Sequence, residues 1–196
     1  MIHDLGLLAA RLALGLGFAS HGTQKAFGWF DGPGPENAAS FLESIGFKPG
    51  EQYANAAAYT ELGAGLAIAL GLGGPAGPAG IISSMLVAQG AVHAKNGFFA
   101  QNGGVELGVV YGSAALALAS SGYGKLSLDH ALGLDEKFRH PALTLLAIAG
   151  GFAAGYLILG QRDHTPPAGT MATPTIAGGA SANGTASATT EQPAGS

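Results

Sequence analysis

The sequence has no cysteine. A chain without thiols cannot run thiol–disulfide chemistry by itself, nor hold an iron–sulfur cluster through thiolates. Any redox role must then come from a bound cofactor or a partner. Charge is nearly as scarce. Asp, Glu, Lys and Arg make up 10% of the 196 residues, whereas soluble domains carry about 25%. So few charges cannot cover a water-facing surface of ordinary composition. The net charge of −4 argues against a nucleic-acid partner. The start, Met1-Ile2-His3-Asp4, has no basic segment, and no small-residue cleavage site closes a short apolar core. The first apolar stretch is therefore expected to stay as a transmembrane helix. No Glu-x-x-His pair falls within the apolar segments, which argues against a carboxylate metal site, and no metal is expected.

What the chain does have is apolar length. Hydrophobic residues supply 47% of it, and five long runs cover about 5–27, 53–72, 79–94, 106–121 and 142–160. The first is long enough to cross roughly 30 Å of hydrocarbon at about 1.5 Å per residue. The 34 glycines suit close helix packing in lipid. The expected fold is an all-α integral membrane protein in a lipid environment. Residues 1–134 are read as a transmembrane four-helix bundle and 135–162 as an extra, fifth transmembrane helix. Residues 163–196, rich in Pro, Ala, Gly, Ser and Thr, are read as a disordered tail. Glu36 to Gly46 reads as a short amphipathic helix on the membrane surface, with Phe41, Leu42 and Ile45 on one face.

Three small-residue stripes are candidate contact faces: Ala13, Gly17, His21 and Lys25; Gly63, Ala67 and Gly71; and the Gly151/Gly155 pair, a packing or homo-oligomer signal. Arg11, two turns inside the first run, reads as an arginine whose head snorkels to the near headgroups. Lys125, Lys137, Arg139 and Arg11 favour a cytoplasmic N-terminus, against Lys25, Lys48 and Lys95. A bacterial plasma-membrane protein with a cytoplasmic N-terminus is the expectation.

The polar residues of the apolar runs gather at segment ends. His21, Gln24 and Lys25 close the first run, and Glu61 sits about two turns inside the second. Gln89 and His93 end the third, Asn96 follows, and Glu106 opens the fourth. In an up-and-down arrangement these groups share one side. Ionisable groups at such depth are functional candidates by default, and a structural ion pair is the competing reading.

Motifs within these stretches carry a resemblance. Arg11-Leu12, followed by His21-Gly22-Thr23-Gln24-Lys25-Ala26-Phe27-Gly28-Trp29-Phe30, resembles the first-helix signature of the DoxX family. Phe41 to Phe47 and Glu61-Leu62-Gly63-Ala64-Gly65-Leu66 are similar to its next segments. So are His93 to Phe99, Gly103-Gly104-Val105-Glu106 and the stretch from Tyr123 to Leu132 with Asp129. The resemblance spans roughly residues 5–134. It implies a four-helix membrane bundle. It also raises a quinone-linked role, since the family includes the membrane subunit of a thiosulfate:quinone oxidoreductase, and other members are linked to a membrane-associated oxidoreductase complex.

Three functions stay open. In the first, the chain is a redox-linked subunit that binds quinone at the outer end of the bundle, alongside a membrane or soluble redox partner protein. His21 or His93 would donate a hydrogen bond and proton, Lys25 would stabilise negative charge developing on the ring oxygen, and Glu61 or Glu106 would pass protons. Gln24, Gln89 and Asn96 would join His21 and His93 in holding the ring. In the second, His21 and His93 ligate a non-covalent haem, which ranks below the quinone. In the third, the polar cluster locks the helices of a scaffold or small-solute carrier.

Overall fold

A computed structural model describes residues 1–163, and the expected tail lies from residue 164 onward outside the described residues. Among the described residues the regular structure is helical and no strand occurs. The long helices are α1 (Ile2–Phe27), α2 (Gly34–Ser44), α3 (Gly50–Leu70), α4 (Ala76–Ala88) and α5 (Glu106–Ser121). Two single-turn helices follow, α6 (Leu128–Ala131) and α7 (Asp135–Phe138), and then α8 (Pro141–Gly160). The five apolar runs thus become α1, α3, α4, α5 and α8, and the expected amphipathic segment becomes α2. Helices α1 and α8 are long and apolar enough to cross a membrane.

Local chemistry sets the ends. Gly28 closes α1 and Gly71 closes α3, each in the left-handed conformation that favours glycine, at φ 71° and 67°. Pro35 and Pro141 sit in the first turns of α2 and α8, where a missing N–H costs nothing. Helix α4 does not stop at Ala88. It widens into one π turn, Gln89–His93, in which the Ala94 N–H donates to the Gln89 carbonyl, and then tightens into Ala94–Asn96.

Helix α3 is central: α1, α2 and α4 pack on it, while α4 also carries α5 and α8. The shared core is Leu14, Phe18, Ala64, Ile68, Ile81, Ile82, Ala115, Leu118 and Tyr123. The α1–α3 seam corrects the expected stripes. Ala13, His21 and Gly63 face outward, and Gly17 is only half-buried. The close approach runs instead through Gly15, Ala19 and Gly22 against Ala58, Gly65 and Ala69. A Cβ on Gly15 would lie 2.5 Å from the Gly65 carbonyl oxygen, and one on Gly22 2.5 Å from the Leu62 nitrogen. Gly151 and Gly155 serve as a packing pair within the chain, against the backbone carbonyls of Ala79 and Ser83.

Arg11 is also corrected. It is 1% exposed and does not snorkel. Its Nη1 donates to the Tyr123 carbonyl and its Nη2 to the Leu126 carbonyl, each at 2.7 Å. The Tyr123 ring lies 5.7 Å from the guanidinium carbon, a cation–π distance. Burial pushes the Tyr123 hydroxyl far above its usual pKa, so that ring stays neutral. Next to this anchor, buried Asp129 accepts the N–H groups of Gly73 and Gly74 at 2.9 and 2.7 Å. Its own N–H donates to the Gly71 carbonyl. The α3–α4 turn is thereby pinned to α6. Arg11→Met should leave the buried Tyr123 carbonyl and the part-buried Leu126 carbonyl without their donor, at a cost of about 2–3 kcal/mol. A thermal melt of the detergent-purified protein should show a midpoint several degrees lower, and an unchanged midpoint would contradict this anchor.

Candidate functional site

Lys25 leaves the last turn of α1 toward α3, where Glu61 waits on the inner face. Lys25 Nζ and Glu61 Oε2 form an ion pair at 2.5 Å. The Glu61 side chain is 10% exposed and that of Lys25 31%. A carboxylate this enclosed is costly unless paired, and the ammonium supplies that partner. Lys25 Nζ also reaches the His21 carbonyl at 3.5 Å.

The π turn decides where the third helix aims its polar groups. In an unbroken α-helix Gln89 and His93 would lie one above the other. The extra residue in the turn changes that register. The Gln89 side chain now presses against Gly108 of α5, where a Cβ would collide with it, and its Oε1 is buried with no hydrogen-bond partner among the described residues. His93 turns the other way. Its Nδ1 lies 2.6 Å from the Gly103 carbonyl oxygen. Asn96 Nδ2 donates to the same oxygen at 3.1 Å. Glu106 Oε2 accepts the Ala100 N–H at 2.8 Å, which fixes the aromatic loop carrying Phe98 and Phe99.

Lys25, Glu61 and His93 line one cavity of about 410 Å³. Helix α2 and the corner after it cover it with Ala38, Phe41, Leu42, Ile45 and Phe47. Helix α3 adds Tyr53, Ala57 and Thr60, α4 adds Ser84, Val87 and Ala88, and α8 adds Ile158. The walls are apolar and the polar groups few, which is the usual composition of a small-molecule site. The α8 end is fastened over this side. Arg162 Nε donates to the Ile45 carbonyl, Asp163 N to the Gly46 carbonyl, and Tyr53 Oη to Gln161 Oε1.

The structure therefore brings three of the eight predicted residues to the cavity and leaves five outside its lining. His21 is exposed, with Nδ1 3.3 Å from Gln24 Oε1 and its ring 6.3 Å from Tyr111. Gln24 touches His21 and the Phe30 carbonyl. Gln89, Asn96 and Glu106 support the π turn and the loop as described. Sequence reasoning missed the role of α2 as a cover and of Ile158 as a wall. It also missed a second cavity of about 460 Å³ at the Arg11 end, lined by His3, Asp4, Lys125, Asp129, His130, Asp135 and Arg139. There the hydrogen bond from His130 Nδ1, at 2.9 Å, holds the Asp135 carboxyl below its usual pKa. Among the described residues no group of three or more His, Asp or Glu could hold a metal ion.

No curated protein and no solved structure matches the chain. The family model described as DoxX matches residues 6–94. That stretch runs from α1 to the end of the π turn, so it contains Lys25, Glu61 and His93, while the resemblance read in residues 95–134 lies beyond it. Over residues 6–94 the chain is similar to the DoxX family, and that similarity points to an integral membrane protein.

Proposed function

We propose that this chain is a multi-pass membrane subunit of a redox complex that holds a membrane quinone in the cavity between α2, α3 and α4. The observation that carries the reading is the cavity itself: an apolar chamber with an ammonium, a carboxylate and an imidazole on its wall. Its volume falls in the range of about 300–1,000 Å³ common for small-molecule sites. A quinone supplies two-electron redox chemistry when bound, and the cysteine-free chain needs such a group or a partner to take part in it. Lys25 would hold one ring oxygen. Glu61 and His93 would exchange protons at that end. The α2 cover and Ile158 would exclude water.

The outer surfaces support a membrane arrangement. Leu12 and Leu16 of α1, Leu66 and Leu70 of α3, Leu107 and Val110 of α5, and Leu145, Leu146 and Leu157 of α8 are all exposed. An apolar exterior on helix after helix suits lipid rather than water. Helices α1, α3, α4 with its π turn, and α5 would form a four-helix bundle, with α8 as a fifth span in a bacterial plasma membrane. The N-terminus would be cytoplasmic and the cavity near the outer face. Exposed Trp29, Phe30, Phe98 and Phe99 at that end would lie at headgroup level.

A second reading has its own support. The 2.5 Å ion pair also fits a lock between α1 and α3 in a scaffold or carrier. A solvent extract of the detergent-purified protein, assayed for quinone, separates the two. Near-stoichiometric quinone is expected in the parent and in His21→Ala, whose side chain is outside the lining, but not in Ala57→Phe, which fills the cavity. Quinone no higher than in control membrane proteins would favour the lock.

A further inference from the structure

Beyond that reading, and resting on it for the ring that is bound, we infer that the cavity selects a ligand through a hydroxyl donor: the hydroquinone, or another apolar phenol, binds in preference to the quinone. The key is the tautomer of His93. A carbonyl oxygen only accepts, so the 2.6 Å contact with Gly103 requires a proton on Nδ1. The neutral ring then keeps its lone pair on Nε2. Among the described residues that atom has no hydrogen-bond partner, and it is not fully buried, so it remains open. Because Nδ1 is taken by the loop, Nε2 is the polar edge the imidazole keeps for the cavity it lines.

Glu61 repeats the pattern. Oε2 is occupied by Lys25, while Oε1 has no partner among the described residues and is not sealed off. The ionisable groups on the cavity lining thus offer two acceptors and one ammonium. The ammonium has three N–H donors, one of them on Glu61 and another stretched to the His21 carbonyl. A hydroxyl suits this set, because its oxygen accepts from Lys25 while its proton goes to His93 Nε2 or Glu61 Oε1. Within this set of three a quinone carbonyl accepts from Lys25 alone and faces the two acceptors with lone pairs, and the Thr60 and Ser84 hydroxyls elsewhere on the lining serve a carbonyl and a hydroxyl alike. His93 thereby acts toward the bound ring as an acceptor, not the hydrogen-bond donor its position in the sequence suggests. The second contact of Asn96 with the Gly103 oxygen holds that carbonyl in place and so keeps the tautomer fixed.

The test is equilibrium binding to the full chain in lipid nanodiscs, with four probes sharing one short tail: a benzoquinone, its hydroquinone, a phenol and the methyl ether of that phenol. One hydrogen bond to a charged or strongly polar acceptor is worth about tenfold in affinity. The hydroquinone should bind about tenfold tighter than the quinone, and the phenol about tenfold tighter than its ether. His93→Asn keeps an N–H for the Gly103 carbonyl and, being shorter, places no acceptor at the Nε2 position, so both ratios should shrink to a few-fold. The phenol–ether comparison needs no variant and stands even if that one fails to fold. Equal binding of quinone and hydroquinone and of phenol and ether would overturn the inference and leave the quinone site intact. Full preference surviving in His93→Asn would overturn the role of His93. Binding of the phenol alone would sink the quinone reading and keep the hydroxyl selection. Binding of none would sink both.

Discussion

Gly65→Leu should abolish recovery of folded protein, while Gly63→Leu, two residues away on the same helix, should express and purify like the parent. A Cβ on Gly65 would collide with the backbone nitrogen of Ala19 and lie 2.5 Å from the Gly15 carbonyl oxygen. Overpacking costs about 1–3 kcal/mol where side chains can give way. Here the obstacle is main chain on α1, so α1 and α3 must separate along their whole seam. That separation would withdraw Phe18 and Ile68 from the core and pull Lys25 from Glu61. A Cβ on Gly63 would meet nothing within 4 Å, and the position faces outward, where a leucine has open space to occupy. Size-exclusion profiles and melting midpoints of the two variants in one detergent decide the matter. A folded Gly65→Leu protein, or an aggregated Gly63→Leu protein, would contradict the seam.

That pair also marks where the sequence stops being informative. The helices were legible because apolar runs bounded by glycine and proline leave little choice of element, and α5 begins and ends at the expected residues. Which face of each helix turns inward was not legible. With glycine and alanine so frequent, a spacing of four residues can be drawn through several registers. The partner helix, invisible in a one-dimensional pattern, selects among them. Arg11 shows the same limit: its acceptors are backbone carbonyls more than a hundred residues downstream, and backbone leaves no mark in composition. The site was legible in part. Lys25, Glu61 and His93 stood out as polar groups at apolar ends. The sorting of His93 from Gln89 depends on one π turn, which no residue type announces. The walls depend on α2 folding back over α3 and on Ile158 arriving from the far end of the described chain.

Lys25→Met should cost more stability than the double change Lys25→Met with Glu61→Met. Removing the ammonium leaves the Glu61 carboxylate, 10% exposed, without its cation in an apolar setting. Breaking a buried pair from one side costs about 3–5 kcal/mol, and the partial exposure of Lys25 places this case toward the low end. The double variant strands no charge, and methionine fills irregular apolar space well. Replacing a buried ion pair with apolar side chains is often neutral or stabilising. Its melting midpoint should therefore return to within a few degrees of the parent. The two readings of the pair part at this variant. If the ion pair serves the ligand, the double variant is folded and carries no quinone or hydroquinone. If the pair is a lock that α1 and α3 need, the double variant melts as low as the single one or lower. The free-energy reasoning favours the first result. Apolar residues would hold this seam as well as a salt bridge, so under the proposed function a charge pair at the edge of an apolar cavity would have its use in what the cavity binds.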